Sequence, residues 1–316
     1  MSKLKFNPEK DIPDLTGRAI LITGGTAGLG YETALSLAAH SPDQIFFTGR
    51  SQSSADKLVN EVRAKHPQTR ITFIKCDQTS LASVQDAARA ISGQTSRLDT
   101  LIANAGVMCL PPGQTKEGYE VQFGTNHLAH ALLVKLLLPL LKSTAAQSSS
   151  NVRVIWLTSQ GYAFHPKGVI LFDSLPTSQS DICSWSSFCG AWYRYGQSKL
   201  ANLLYARAFA SHNPSITSVA IHPGVSATGL VTGLPWTQRA FIYSTAWAQM
   251  IPPEQCAWNT QWAATCPKEK LESGSFYEPV GEKGKLWRDG VDEGGALEGK
   301  LWEWTEKELE KWVSNI

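Results

Sequence analysis

The chain has 316 residues, 42% of them hydrophobic and 18% charged, with 29 lysines and arginines against 27 acids and a formal charge of +2. That length suits one large α/β domain or two small ones, with enough apolar material for a substantial core. The near-neutral balance and the lack of a basic surface run argue against a nucleic-acid partner and for a small molecule.

Residues 1–20 contain no apolar h-region, so no signal peptide is expected, and 1–17 read as an N-terminal arm. Short, nearly continuous apolar runs follow at 19–23 (AILIT), 44–48 (QIFFT), 71–75 (ITFIK), 100–103 (TLIA), 152–158 (VRVIWLT) and 217–221 (TSVAI). Runs of this kind are strands covered on both faces, as in a parallel sheet. Helical patterns lie between them, near 29–40, 54–65, 80–92, 117–142 and 193–211. The alternation requires right-handed crossovers and predicts a single-domain, Rossmann-like α/β fold with a doubly wound parallel sheet. The greasiest segment, 131–141 (ALLVKLLLPLL), is too short to span a bilayer and carries Lys135, so it reads as a buried helix. The six cysteines, Cys76, Cys109, Cys183, Cys189, Cys256 and Cys266, show neither a CxxC pair nor metal-ligand spacing. Free thiols in a reducing, cytoplasmic compartment are expected, with no metal.

Between the first strand and the first helix lies TGGTAGLG (23–30), with glycines spaced Gly24-x3-Gly28-x-Gly30. Glycines there let the backbone turn tightly and approach a pyrophosphate, whose charge the helix N-terminus favours. A ligand-free βα loop is the plainer alternative, made less attractive by the turn's place directly after a buried strand. The second strand ends in TGRS (48–51) and supplies no acid for an adenosine ribose; the first later acid is Asp56. Arg50 instead offers a planar fork to a 2′-phosphate, which favours NADP(H) over NAD(H).

The stretch 191–205 (AWYRYGQSKLANLLY) has three tyrosines, of which Tyr195 alone has a lysine, Lys199, four residues on. On a helix the two share a face. An ammonium beside a phenol favours phenolate and lowers a pKa that starts at about 10. Such a phenol can give a proton to a carbonyl oxygen or, ionised, take one from an alcohol. A single such pair also fits a lysine snorkelling from an amphipathic helix.

The pair has company, and at this point the sequence resembles the short-chain dehydrogenase/reductase family. TGGTAGLG fits its T-G-x-x-x-G-x-G turn, and NAG at 104–106 fits the motif after its fourth strand. Ser159 ends the fifth strand where the family has its catalytic serine, and YGQSK at 195–199 is its Y-x-x-x-K. Pro223, Gly224 and Thr228 fit its P-G-x-x-x-T after the sixth strand, so the motifs run in family order from 19 to about 230. FGTNHLAH (123–130) and YGQSKLAN (195–202) further resemble the branch containing retinol dehydrogenases and many fungal biosynthetic reductases. The resemblance implies a catalytic tetrad of Asn126, Ser159, Tyr195 and Lys199. Ser159 would hydrogen-bond the substrate oxygen and Tyr195 would exchange a proton with it. Lys199 would hold the nicotinamide ribose and tune Tyr195, while Asn126 would anchor a water linking Lys199 to solvent. Negative charge arriving on the substrate oxygen would then meet two donors. The cofactor contacts implied are Gly24, Thr26, Gly28, Leu29 and Gly30 in the turn, Arg50, Asp77 at the adenine, and Asn104, Ala105 and Gly106 along the adenosine ribose. Pro223, Gly224, Val225 and Thr228 would lie on the nicotinamide side.

The chain departs from the common pattern in places. Ser159 and Tyr195 are 36 positions apart, longer than the usual spacing, and the inserted loop 160–192, with Phe164, Trp185, Phe188 and Trp192, is expected to wall the pocket. None of the eleven tryptophans precedes residue 156; of the six at 185, 192, 236, 247, 258 and 262, at least two are expected to line a pocket for an apolar or aromatic ligand. The stretch 225–272 reads as a helical substrate lid. In the tail, 284–316, Thr305 and Glu308 read as a capping box opening a docked helix with an apolar stripe of Leu309, Trp312 and Val313. Together these features predict NADPH-dependent reduction of a ketone or aldehyde, or the reverse oxidation, on a hydrophobic small molecule. Secondary-metabolite biosynthesis and homo-oligomerisation are further implications of the resemblance. Reduction of a carbon–carbon double bond, epimerisation at the same site, and a non-catalytic NADP(H)-sensing protein stay open as alternatives.

Overall fold

The computed structural model describes residues 6–147, 150–227, 229–247 and 250–313. Its centre is an eight-stranded sheet in the order β3-β2-β1-β4-β5-β6-β7-β8. In chain order these are β1 (Ala19–Ile22), β2 (Gln44–Gly49), β3 (Arg70–Lys75), β4 (Thr100–Ala103), β5 (Arg153–Leu157), β6 (Thr217–Ile221), β7 (Phe276–Glu278) and β8 (Glu282–Lys283). Every neighbouring pair is parallel except β7 and β8. All residues of β1, β4, β5 and β6 are buried, which is why their sequences lack the polar alternation of a half-solvated sheet. The last two strands were not anticipated: at three and two residues they are too short for any periodicity to register.

The helices are α1 (Pro8–Asp11), α2 (Gly28–Ala38), α3 (Gln52–Lys65), α4 (Leu81–Ser92), α5 (Val121–Phe123), α6 (Ala129–Ala145), α7 (Ser187–His212), α8 (Gly229–Thr232), α9 (Trp236–Ala246), α10 (Pro253–Thr265) and α11 (Ala296–Val313). One core lies between the sheet and α2, α3 and α10; the other lies between the sheet and α4, α6, α7 and α11. The chain leaves β1 towards β2 and β3, then returns to place β4 on the other side of β1. That reversal opens a crevice beyond the carboxyl ends of the strands, where open α/β sheets bind ligands.

Four details differ from the sequence expectation. A π turn at Gly124–Leu128 joins α5 to α6, so Val121–Ala145 is one helical run of 25 residues. By length and composition it could cross a membrane, yet 56% of its most apolar window is buried within the protein, against α4 and α11 among others. The helix bearing Tyr195 begins at Ser187, taking the last residues of the 160–192 loop, because Ser186 caps it through the Cys189 amide. The expected lid divides: α8 and α9 stand at the crevice, whereas α10 packs on α2 and the sheet. Its small residues Ala257, Ala263 and Ala264 allow that approach, and Asn259 Nδ2 donates to the carbonyls of His222 (2.8 Å) and Tyr277 (3.2 Å). Finally, Thr305 caps nothing. The last helix starts nine residues earlier, where Asp292 accepts from the Leu297 and Glu298 amides, and Thr305 lies fully buried in its middle, 3.0 Å from His127 Nε2. The stripe behind it does dock, with Leu309 in the core and Trp312 and Val313 packed against it.

Candidate active site

A cavity of about 840 Å³ follows the carboxyl ends of β1, β2, β4, β5 and β6. Its lining includes Gly24, Thr26, Gly28, Leu29, Arg50, Asp77, Asn104, Ala105, Gly106, Ser159, Tyr195, Lys199, Pro223, Gly224 and Val225. Of the other expected residues, Gly30 and Asn126 sit directly behind this wall, and Thr228 lies outside the described residues.

One half of the cavity is built for an anionic dinucleotide. Gly24 and Gly28 have φ of +68° and +55°, conformations that side chains disfavour. A Cβ on Gly30 would stand 2.5 Å from the Gly24 carbonyl oxygen, so this glycine lets α2 close onto the turn. Ala27 gives α2 no side-chain cap and its first turn has no acid, leaving the amides of Gly28, Leu29 and Gly30 to an incoming anion. Thr23 Oγ1 accepts from the amides of Asn104 and Ala105, both at 2.9 Å, and Asn104 Nδ2 donates to the Thr23 carbonyl at 2.7 Å. His130, fully buried, meets Thr23 Oγ1 and Gln78 Nε2 through Nε2, and the Asn126 carbonyl through Nδ1. This network fixes the NAG segment against the glycine turn. At the end of β2, Arg50 is exposed, and Ser51 caps α3 by accepting from the Ser54 amide; that helix also has no acid in its first turn. Burial raises the pKa of Asp77, but hydrogen bonds from Thr79 and the charges of Lys116 and Arg50 outweigh it, so the carboxylate is held low.

The other half carries the reactive groups. Ser159 leaves β5 and accepts from the Gly161 amide at 3.1 Å; a side chain on Gly161 would meet the Tyr195 ring at 2.9 Å. Tyr195 and Lys199 are buried on one face of α7, with Nζ 5.9 Å from the ring centroid. Lys199 Nζ donates to the Leu157 carbonyl at 3.1 Å, beside Asn202 Nδ2 at 3.0 Å, while Thr158 Oγ1 donates to the Lys199 carbonyl at 2.6 Å. Asn126 spends its amide on Val107, accepting from N at 2.8 Å and donating to O at 2.9 Å, and on Ser198 Oγ at 2.9 Å. A Cβ on Gly106 would touch both Asn126 Oδ1 (3.1 Å) and Lys199 Nζ (3.5 Å). Glycine thus keeps the floor open between them.

The expected lowering of the Tyr195 pKa by Lys199 is not what the chain alone produces. Burial pushes the phenol well up; hydrogen bonding to Ser159 pulls the other way and loses. Burial also brings Lys199 down to about 8. Desolvation penalises both charged forms together, and it exceeds what an ammonium several ångströms from the ring returns.

The wall around Tyr195 is aromatic. Trp192 meets Tyr195 edge-on (centroids 6.0 Å apart), Phe241 at 5.4 Å and Phe164 at 5.4 Å, and Phe188 meets Phe241 at 5.3 Å. Met108, Val225, Leu230, Val231 and Ile242 complete this side, and beyond Lys199 its lining includes no charged residue. Of the six tryptophans expected to supply at least two pocket residues, only Trp192 lines it. Trp185, Trp236 and Trp247 face outward, and Trp262 packs against Gly281 and Tyr277. The second indole at the cavity is Trp287, from the tail, held where its amide donates to the Tyr162 hydroxyl at 2.7 Å. His222, Gly161, Phe241 and Trp287 are site residues that the sequence reading missed. Gly161 and His222 sit beside recognised motifs, whereas Phe241 and Trp287 carry no local signal.

The family description "short chain dehydrogenase" matches residues 18–167. An uncharacterized oxidoreductase of Schizosaccharomyces pombe is 36% identical over 236 residues, 74% of this chain and 66% of that protein. The short chain dehydrogenase/reductase dpchH of Colletotrichum higginsianum is 37% identical over 244 residues, 73% of this chain and 60% of its own. The chain therefore spans less than two thirds of the length of these two relatives. Retinol dehydrogenase 12 of Mus musculus is 32% identical over 240 residues, 75% of this chain and 69% of that one. Among solved structures, that of a Mycobacterium paratuberculosis protein is similar with a TM-score of 0.68 at 27% identity, covering 96% of both chains.

Proposed function

From the premise that this chain belongs to the short-chain dehydrogenase/reductase family, in its retinol-dehydrogenase-like branch, we propose that it is an NADP(H)-dependent oxidoreductase. It reduces a ketone or aldehyde, or oxidises the alcohol, on an uncharged apolar or aromatic small molecule. One observation carries this reading: Ser159 and Tyr195 face one cavity whose substrate side is aromatic and, apart from Lys199 beside Tyr195, free of charged side chains. Burying a charged substrate there, unpaired, would be costly.

A bound nicotinamide dinucleotide supplies or accepts the hydride. Burial keeps the Tyr195 hydroxyl protonated at neutral pH, loaded to donate to a carbonyl oxygen. Ser159 is the second donor to that oxygen, and two placed donors stabilise the charge that develops there. Once Tyr195 has given its proton, the Lys199 ammonium stabilises the phenolate, with the Leu157 carbonyl holding Nζ in place. The preference for NADP(H) rests on Arg50 and on the acid-free start of α3. A cytoplasmic setting, a biosynthetic role and homo-oligomerisation belong to the same proposal, on the family resemblance and the free cysteines.

The test is NADPH oxidation with a panel of neutral aromatic ketones and aldehydes, with Tyr195→Phe as control. Turnover lost in the variant, and deuterium from labelled NADPH on the carbonyl carbon, are the expected results. Tight NADPH binding with no carbonyl reduced across the panel would sink the reading.

A further inference from the structure

The helix that closes the cavity has a second apolar face. Along α9, Phe241, Ile242, Thr245 and Ala246 line the cavity. Trp236, Ala240, Tyr243 and Trp247 recur at intervals of four, three and four, which on a 3.6-residue helix is one stripe on the opposite side. Trp236 and Trp247 are 74% and 75% exposed, and Tyr243 and Leu230 of α8 are exposed too. Trp185, 77% exposed, stands three residues before Phe188, whose ring meets Phe241 in the middle of α9. Large rings left in water at both ends of one helix are a standing cost, and they mark an interaction face.

Charge and size favour a lipid surface as the occupant. From residue 225 to 253 there is no acid, and the sole charge is Arg239, on α9 itself. No carboxylate would be carried into an anionic headgroup layer, and the exposed guanidinium of Arg239, whose Nη1 donates to the Thr232 carbonyl at 3.4 Å, keeps further donors for phosphate. Indole and phenol rings, apolar with one polar handle, are the side chains that settle at the headgroup boundary. A second protein copy fits less well. A stable protein interface takes about 800 Å² from each partner, more than four side chains on an eleven-residue helix and its C-cap offer.

We propose that the outer stripe of α9, with Leu230, docks on the headgroup region of an anionic bilayer. The helix lies flat on the surface with Trp236 and Trp247 inserted at its two ends. Because its inner face lines the cavity, docking brings the substrate entrance to the lipid. On the reading of the site as a reductase of apolar carbonyl compounds, those compounds enter from the bilayer.

The test is sedimentation of the full chain with vesicles of phosphatidylcholine containing about one fifth phosphatidylserine. Wild-type protein co-sediments and its indole emission shifts to shorter wavelength. The Trp236→Ser/Trp247→Ser variant partitions about ten-fold more weakly, the order expected for removing two interfacial rings, with an unchanged melting temperature. Arg239→Gln weakens binding to these vesicles but not to pure phosphatidylcholine. No partitioning at millimolar lipid, or equal partitioning by the double variant, overturns the proposal. So does a wild-type dimer that the double variant splits, since the stripe would then face a second copy. These readouts need neither cofactor nor substrate, so failure of carbonyl reduction and failure of docking are separately visible.

Discussion

On the proposed reading Tyr195 and Ser159 carry the chemistry through their hydroxyls, and a Tyr195 variant separates chemistry from binding. Tyr195→Phe keeps the ring against Trp192 and removes the proton; the expected loss in kcat is about a hundred- to ten-thousand-fold, with NADPH affinity, measured by fluorescence titration, unchanged. Arg50 answers a different question. Arg50→Ser should weaken NADPH about ten- to a hundred-fold, the value of one charge-assisted contact, and leave NADH unaffected in the same titration. Equal losses for both would remove the role given to this arginine. Gly196 shows why the residue after the tyrosine is also constrained. A Cβ there would sit 2.5 Å from the Phe164 carbonyl oxygen and 2.8 Å from the His165 nitrogen, backbone atoms that cannot swing aside. Gly196→Ala should cost about 1–3 kcal/mol in urea denaturation and raise KM by shifting Phe164 at the cavity wall.

At the scale of elements, the last helix does more than cover apolar surface. α11 packs on α4, α6 and α7, with Trp302 stacked on Tyr205 and His212. From its middle, Thr305 reaches His127, which occupies the π turn that also holds Asn126. Single π turns inside α-helices are frequent at functional sites, where they re-aim a side chain. Thr305→Val removes one hydrogen-bond partner of a buried imidazole, at an expected cost of about 1–3 kcal/mol. If the helix braces Asn126, kcat falls as well while KM for NADPH holds; a stability loss with unchanged kcat would reduce α11 to a cover. Sequence and structure part company at this scale. Periodicity located the first six strands and the helices between them; burial on both faces leaves a local record in β1, β4, β5 and β6, while β3, at the sheet edge and half-exposed, was found by its β-branched and aromatic run alone. It misread Thr305 and Glu308 as a helix start, since a capping box is four residues and occurs in helix interiors as readily. The true cap, Asp292, lies beyond a run of glycines, and Gly294 and Gly295 have positive φ.

For the molecule as a whole, buried titratable groups set the acid limit of stability. Burial lowers His127 to about 3 and His130 and His222 to about 4, from an ordinary value of 6.5. Below pH 6.5 the unfolded chain takes up three protons that the fold refuses, so this contribution to stability is lost as pH falls from 6.5 towards 4. Glu120 runs against it. Burial raises its carboxyl to about 7 from 4.5 against the opposing pull of backbone amides and Arg194, and in that window the fold holds a proton the unfolded chain does not. Three histidines outweigh one carboxyl, and where the balance nears two protons, at about pH 5, it corresponds to a loss of up to about 3 kcal/mol per pH unit. Urea titrations at stepped pH check this: the slope should shrink by about one proton in His130→Gln, provided that variant folds. A flat profile across the window would show that the histidines are not held neutral.

By itself the sequence determined the first six strands, the glycine turn, the tyrosine–lysine pair and their order along the chain. Each is written within a few residues, where backbone conformation and helical spacing leave little choice. The tertiary structure alone decided which indoles meet the cavity, where the lid ends and α10 begins, and what Thr305 touches. It also reversed the expected shift at Tyr195. These outcomes depend on desolvation and on contacts between residues far apart in the chain, and a local pattern carries no record of either.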